Sequence, residues 1–324
     1  MRRHLFAPPV TAAVAALALT ACGSSSSGKP AAGGAPAAGA ADNKLAGATF
    51  TVASKDFTES IVLGKITSDV LAAHGAKIVD KTNIKGSVST RTALTSGQVD
   101  MYWEYTGTAW INYLKHSKPI SDPQGQYTAV KTADAKNGLA WLPYAPMNDT
   151  YGLAIRKSQA DKLNVHSLSD LGKLSKTSPK DATFCIESEF STRDDGFPGV
   201  LKAYGITAPK SQVKLLDTGV VYTQTAKGDG CNFGEVFATD GRIAALNLEV
   251  LRDDTHFFPN YNAALTLKQT LLMKYPSIAD YIDPVAKKLD DKTMTDLNAK
   301  VDKDGEDPAD VAKTWLKDNG LISK

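Results

Sequence analysis

Thr49-Phe50-Thr51-Val52-Ala53-Ser54-Lys55-Asp56-Phe57-Thr58-Glu59 decides the fold. Thr49 to Ala53 is rich in β-branched and aromatic residues and predicts a strand; after a short polar turn, Thr58 to Ala73 has the spacing of a helix. Thr58 is placed to cap that helix, and Glu59 falls in its positive first turn. Gly75 closes the helix, and Lys77 to Thr82 predicts the next strand. The plan then repeats, with a helix over Ser89 to Ser96, a strand over Gln98 to Glu104 and a new helix opening around Thr106 to Thr108. Strands alternating with helices predict an α/β fold built on mainly parallel sheets flanked by helices.

A second series follows. Strands are predicted near Tyr151 to Ile155, Thr183 to Glu187, Val213 to Leu216 and Asn232 to Ala238, with helices around Gly196 to Tyr204 and Val220 to Lys227. Leu246 to Arg252 is again β-like, and from Gln269 onward the chain reads as helical, with breaks at Pro276, Pro284 and Pro308. Four amphipathic helices at the end need a sheet to cover, and they are assigned to the first lobe. The expectation is therefore two lobes, residues 45–148 with 252–324 and residues 149–251, joined by crossings near Asn148 to Thr150 and Asn247 to Asp254. About 280 residues are large for one core and comfortable for two lobes.

Upstream, residues 1–21 carry Arg2 and Arg3, an apolar stretch from Phe6 to Leu19 and no acid, the pattern of a secretory signal. Leu19-Thr20-Ala21-Cys22 resembles the lipobox at which bacterial lipoproteins are cleaved and acylated on the cysteine, which implies a chain anchored by Cys22 at the extracytoplasmic face of the membrane without crossing it. Residues 22–44 are dominated by Gly, Ala, Ser and Pro and predict a flexible tether. Removal of Arg2 and Arg3 takes the 37 basic residues to 35, equal to the 35 acidic ones, so no nucleic acid or polybasic membrane contact is expected. In an exported chain Cys185 and Cys231 are expected to form a disulfide, with two separately buried thiols as the alternative. The five histidines lack metal-ligand spacing, no nucleophile motif occurs, and no metal, cofactor or enzymatic activity is expected. Asp194-Asp195 and Asp253-Asp254 imitate a catalytic dyad, but adjacent side chains point apart.

Three turns carry the chemistry, each at the carboxyl end of a predicted strand, where open α/β sheets bind ligands. Ser54 to Glu59 puts the Lys55 cation beside a helix start. Glu104-Tyr105-Thr106-Gly107-Thr108 offers a close backbone approach at Gly107 and a hydroxyl donor on Thr108. Glu189-Phe190-Ser191-Thr192-Arg193 supplies a permanently charged fork for a carboxylate.

These turns, together with Asn148 to Tyr151, Thr239 to Ile243 and Leu251 to Asp254, resemble the betaine, choline and carnitine substrate-binding proteins of osmoprotectant ABC transporters, the ProX and OpuC type, from about residue 48 to the end. The resemblance implies a two-lobed type II periplasmic-binding-protein fold that closes on its ligand and docks, as a monomer, on an ABC permease. It implies an aromatic cage for a quaternary ammonium at Tyr105, Tyr151, Tyr222 and Phe237, with phenylalanine at Phe237 where the family usually has tyrosine. It assigns the ligand's carboxylate to Lys55, Thr108 and Arg193, with Glu189 orienting the arginine. An ammonium without N–H groups is attracted by ring faces, worth roughly 0.5 to 2 kcal/mol per ring. A zwitterion such as glycine betaine suits both ends. Choline, ergothioneine, a polar amino acid and an extracytoplasmic enzyme on the same scaffold are the alternatives.

Overall fold

The structure, a computed structural model, describes residues 43–323; the segment expected to be a secretory signal, Cys22 and most of the expected tether lie outside the described residues. Two five-stranded sheets form two lobes. The first sheet has the order β2-β1-β3-β10-β4, with β1 Thr49–Lys55, β2 Lys77–Ile84, β3 Met101–Tyr105, β4 Leu139–Trp141 and β10 Ala263–Lys268. The second has the order β7-β6-β8-β5-β9, with β5 Tyr151–Arg156, β6 Phe184–Ile186, β7 Val213–Leu215, β8 Phe233–Phe237 and β9 Leu248–Val250.

Both sheets are mixed rather than mainly parallel. In the first, β1 pairs parallel with β2 and β3 while β10 runs antiparallel to β3 and β4. In the second, β6 pairs parallel with β7 and β8 while β5 runs antiparallel to β8 and β9. The reason lies in the crossings. β1, β3, β6 and β8 run toward the junction of the lobes, whereas β5 and β10 are the strands on which the chain arrives from the other lobe and must run away from it. Register follows: Tyr105, last in β3, faces Ala263, first in β10, and Phe237, last in β8, faces Tyr151, first in β5.

Helix α1, Thr58–Ala73, lies on the first sheet and buries Val62, Leu63 and Ile66 against Phe50. Each such side chain contributes roughly 1.5 to 3 kcal/mol by leaving water. Helices Asp291–Asp302 and Pro308–Asp318 pack on α1 and add Met294, Val311 and Leu316 to the same core. Thr58 does not cap α1: Phe57 occupies the cap position with extended backbone, and the Thr58 hydroxyl donates to Asp302 at 2.6 Å. Pro276 immediately precedes the helix Ser277–Ala286 and Pro308 opens the last helix, but Pro284 sits inside Ser277–Ala286, where only the final turn loses a backbone bond. Cys185 in β6 and Cys231, just before β8, form a disulfide with Cα atoms 5.7 Å apart. Among the described residues no helix is long and apolar enough to cross a membrane, and no group of three or more His, Cys, Asp or Glu is arranged for a metal ion.

Candidate functional site

Three strand ends at the lobe junction carry aromatic side chains: Tyr105 closes β3, Phe237 closes β8 and Tyr151 opens β5. Tyr151 is central: its ring lies 5.1 Å from Phe237, 5.3 Å from Tyr261 at 87°, and 4.9 Å from Phe190. Phe57, from the turn between β1 and α1, stacks on Phe237 at 5.1 Å and tilts toward Tyr105 at 5.7 Å. Phe57, Tyr105, Tyr151, Phe237 and Tyr261 line one small cavity between the lobes, and Lys55, Thr108 and Asp149 line it too. Tyr261 reaches this position because Gly107 has no side chain; a Cβ there would meet the Tyr261 ring at 2.7 Å.

Of the four rings expected to form a cage, Tyr105, Tyr151 and Phe237 come together and Tyr222 does not join them. Tyr222 packs behind, in a cluster with Ala154, Val236 and Leu248; its hydroxyl accepts the Phe237 N–H at 2.8 Å, and the Arg242 guanidinium lies 4.3 Å above its ring. Among the described residues no ring contact joins Tyr222 to Tyr105, Tyr151 or Phe237. The helix Thr218–Lys227 turns it inward as a support for β8. Sequence reasoning missed Tyr261 and Phe57. Phe57 stands inside the first of the three turns, between two polar residues, where alternation alone points it into the junction; Tyr261 stands two residues before a strand that the sequence does not predict.

The residues expected to hold a carboxylate do converge. Arg193 is buried, its guanidinium 5.1 Å over the Tyr151 ring. Nη1 donates to Glu189 at 2.7 Å, Nη2 to Thr108 Oγ1 at 3.2 Å, and Nε and Nη2 form a two-point pair with Asp195 at 2.8 and 2.6 Å. Asp195, which in the sequence is only half of an acidic pair, is thus the principal partner of the arginine. It also accepts from the Tyr261 hydroxyl at 2.7 Å and from Asn112. Glu189 accepts the Ser87 N–H at 2.8 Å from the other lobe. Burial pushes Glu189 up, but Arg193 and Lys55 outweigh it and hold the carboxyl at about 2. Lys55 donates to Glu104 at 2.7 Å and lies 5.0 Å over the Tyr105 ring. By donor count, one N–H of Arg193, two of Lys55 and the Thr108 hydroxyl proton stay free for an anion.

On the far side of Phe57 and Phe237 lies a polar pocket with Glu59, Asp149, Thr239 and Asn298 among its walls. Tyr105 donates to Glu59 Oε1 at 2.9 Å, Asn298 Nδ2 lies 3.2 Å from Glu59 Oε2, and the Thr239 hydroxyl contacts both Glu59 and Asp149. Burial first, then the charge of Asp149, pushes the Glu59 carboxyl well above the usual carboxylate range; burial takes Asp149 up to about 7. Beside this pocket the lobes approach closely at one point, where a Cβ on Gly241 would meet Ala299 at 2.5 Å.

Residues 48–318 match the family described as the substrate binding domain of ABC-type glycine betaine transport systems. A glycine-betaine-binding protein of Pseudomonas aeruginosa is 35% identical over 279 residues, 85% of this chain and 89% of that one. The ergothioneine transport permease/ergothioneine binding protein EgtU of Helicobacter pylori is 34% identical over 84% of this chain and 48% of its own, so this chain spans about half its length. The glycine betaine-binding protein YehZ of Escherichia coli is 35% identical over 83% of this chain and 90% of its own. Its solved apo structure superposes with a TM-score of 0.62 at 34% identity, covering 85% of this chain and 99% of that one. The chain belongs to the family of substrate-binding domains of ABC-type glycine betaine transport systems.

Proposed function

We propose that the chain captures a zwitterionic quaternary-ammonium solute of the glycine betaine class between its lobes and delivers it to an ABC permease, working as a monomer at the extracytoplasmic face and anchored through Cys22. One observation carries this reading: rings from both lobes surround a small cavity that also has unspent Lys55 and Thr108 donors on its wall, with Arg193 directly behind Thr108 at 3.2 Å. A trimethylammonium has no proton to donate, so the faces of Tyr105, Tyr151, Phe237 and Tyr261 supply the attraction, roughly 0.5 to 2 kcal/mol for each ring once water is excluded. The carboxylate replaces water on the free donors, and the ligand stabilises the closed form because only that form presents both ends at once.

Ergothioneine makes the same two demands, and the relative named for it shares 34% identity with this chain. Calorimetry with glycine betaine, choline and ergothioneine in parallel separates the readings. Glycine betaine is expected to give heat and choline, which has no acid, to bind at least about tenfold more weakly, the loss of one charge-assisted contact. Stronger heat from choline overturns the assignment of the clamp; the absence of heat from all three sinks the proposal.

A further inference from the structure

The Thr239 hydroxyl lies within hydrogen-bond distance of Glu59 Oε2 and, at 2.7 Å, of Asp149 Oδ1. A hydroxyl has one proton to give. Between two ionised carboxylates it satisfies one, so the second contact needs a proton that a carboxyl itself provides. Among the described residues no cation takes that place. The charged and titratable groups facing Glu59 are Tyr105 from β3, Asp149 from the crossing, Asp240 and Arg242 just past Thr239, and Asp302 beyond Asn298 on the helix Asp291–Asp302. Arg242 is engaged by Asp240 through Nε at 2.9 Å and through Nη2, with Asp302 a further 3.5 Å contact, and Lys55 is held by Glu104. Four acids therefore share one arginine, with Glu59 and Asp149 themselves buried.

We propose that Glu59 is a positioning residue held as a neutral acid, that the chain Glu59–Thr239–Asp149 stores one proton when the lobes are closed, and that solute capture takes up that proton. Glu59 Oε2–H donates a hydrogen bond to Thr239 Oγ1, and the Thr239 hydroxyl keeps its proton while donating it in a hydrogen bond to Asp149 Oδ1, so a single negative charge stays on Asp149 beside the ring cavity. The other Glu59 oxygen accepts the Tyr105 hydroxyl and fixes that ring. The arrangement exists only with the lobes together: Glu59 belongs to α1, Thr239 follows β8, and Asn298 on the first lobe's helix donates to the Thr239 carbonyl at 3.0 Å. When the lobes part, both carboxyls return to water and the proton leaves.

The sign follows from linkage. A carboxyl whose affinity for protons is higher in the closed form favours closure at low pH, and that advantage is lost as pH rises through the closed-state value. Burial, the largest cause in both cases, raises Glu59 well above its usual range and Asp149 to about 7, so the loss falls across neutrality. Glu235, another buried carboxyl pushed up by burial, belongs to the second lobe alone, where it accepts the Glu187 N–H at 2.7 Å.

This inference rests on the proposed capture of a betaine, and the test separates the two. Glycine betaine is titrated into the full chain from about pH 6 to about pH 9, in buffers of different ionisation heat, for wild type and Glu59→Gln. Wild type is expected to take up close to one proton and to weaken by up to about tenfold per pH unit at the upper end. In E59Q the new side-chain amide donates an N–H where the acid donated its proton, so this variant is expected to keep wild-type affinity within about threefold at the acid end and lose the slope. Equal slopes in both proteins overturn the proposal, as does a flat wild-type profile. If no betaine binds at any pH, the functional reading fails, and the compactness of the unliganded proteins, measured by small-angle X-ray scattering from about pH 6 to about pH 9, decides the proton alone. A wild type that is more compact at the acid end, with E59Q lacking that trend, supports its placement; identical pH profiles overturn it.

Discussion

The two ends of the cavity solve opposite problems. Around the rings, Phe57, Tyr151 and Phe237 touch at 5.1 Å and ask little of a ligand except a positive charge without donors. Around Arg193, the guanidinium is already engaged by Asp195, Glu189 and a hydroxyl before any solute arrives. The ring end is adaptable because apolar faces lose only contact area when they separate. The clamp end is rigid because each buried carboxylate there has been desolvated on condition that its partner stays. On the proposed reading, specificity for an acid group is built into the fold itself, whereas affinity for the ammonium is added by side chains that the fold tolerates losing.

Removing Arg193 is the strongest test of that contrast. Arg193→Ala leaves Asp195 and Glu189 buried without a cation, and is expected to cost about 3 to 5 kcal/mol in urea denaturation and to abolish betaine heat. Comparable stability to wild type would show that the clamp is not structural. Next in size, replacing Cys185 and Cys231 together by Ser is expected to remove about 2 to 4 kcal/mol of stability while leaving the dissociation constant within about threefold, since the bond braces β6 and β8 and touches neither end of the cavity. A ring change is milder. Tyr151→Ala is expected to weaken betaine binding by about 5- to 30-fold, one desolvated cation–π contact, measured by calorimetry. Tyr222→Phe is expected to cost about 1 kcal/mol of stability through the lost Phe237 N–H bond and to leave binding within about threefold. A binding loss equal to that of Tyr151→Ala would return Tyr222 to the cage.

The smallest effect concerns acid. Glu189 is held at about 2 against an ordinary value of 4.5, so its contribution is complete above about pH 5 and fades as pH falls toward 2. Between about pH 6 and pH 8 the clamp is expected to titrate nothing, and Glu189→Gln is expected to leave the slope of affinity with pH unchanged there. A slope in that window that Glu59→Gln removes belongs to the far side of Phe57.

Most of the architecture is legible in the chain because the strands that lead into the junction are bounded by helices with strong periodicity, as Thr49 to Ala73 shows. β4 and β10 are not legible. β4 is three residues long, and β10, Ala263–Lys268, runs without a break into the helix Gln269–Lys274, so no turn residue announces it. Without β10 there is no sign of Tyr261, which only that strand places opposite Tyr151. Lys55, Thr108, Glu189 and Arg193 can be found because charged and hydroxyl side chains at strand ends have a stated chemistry. Tyr222 is misplaced for the complementary reason: an aromatic in a helix such as Thr218–Lys227 fits a core as well as a cage, and only packing decides. Glu59 reads as a helix-end charge, since nothing in a linear sequence reveals that Asp149 will be folded against it.

Phe57 gives the empty molecule its own reason to shut. It comes from the first lobe, Phe237 from the second, and their stacked faces are wetted whenever the lobes separate, so apolar attraction offsets part of the cost of closure and leaves the solute to supply the rest. Phe57→Ala would take that help away, so that more of the solute's binding energy goes into drawing the halves together.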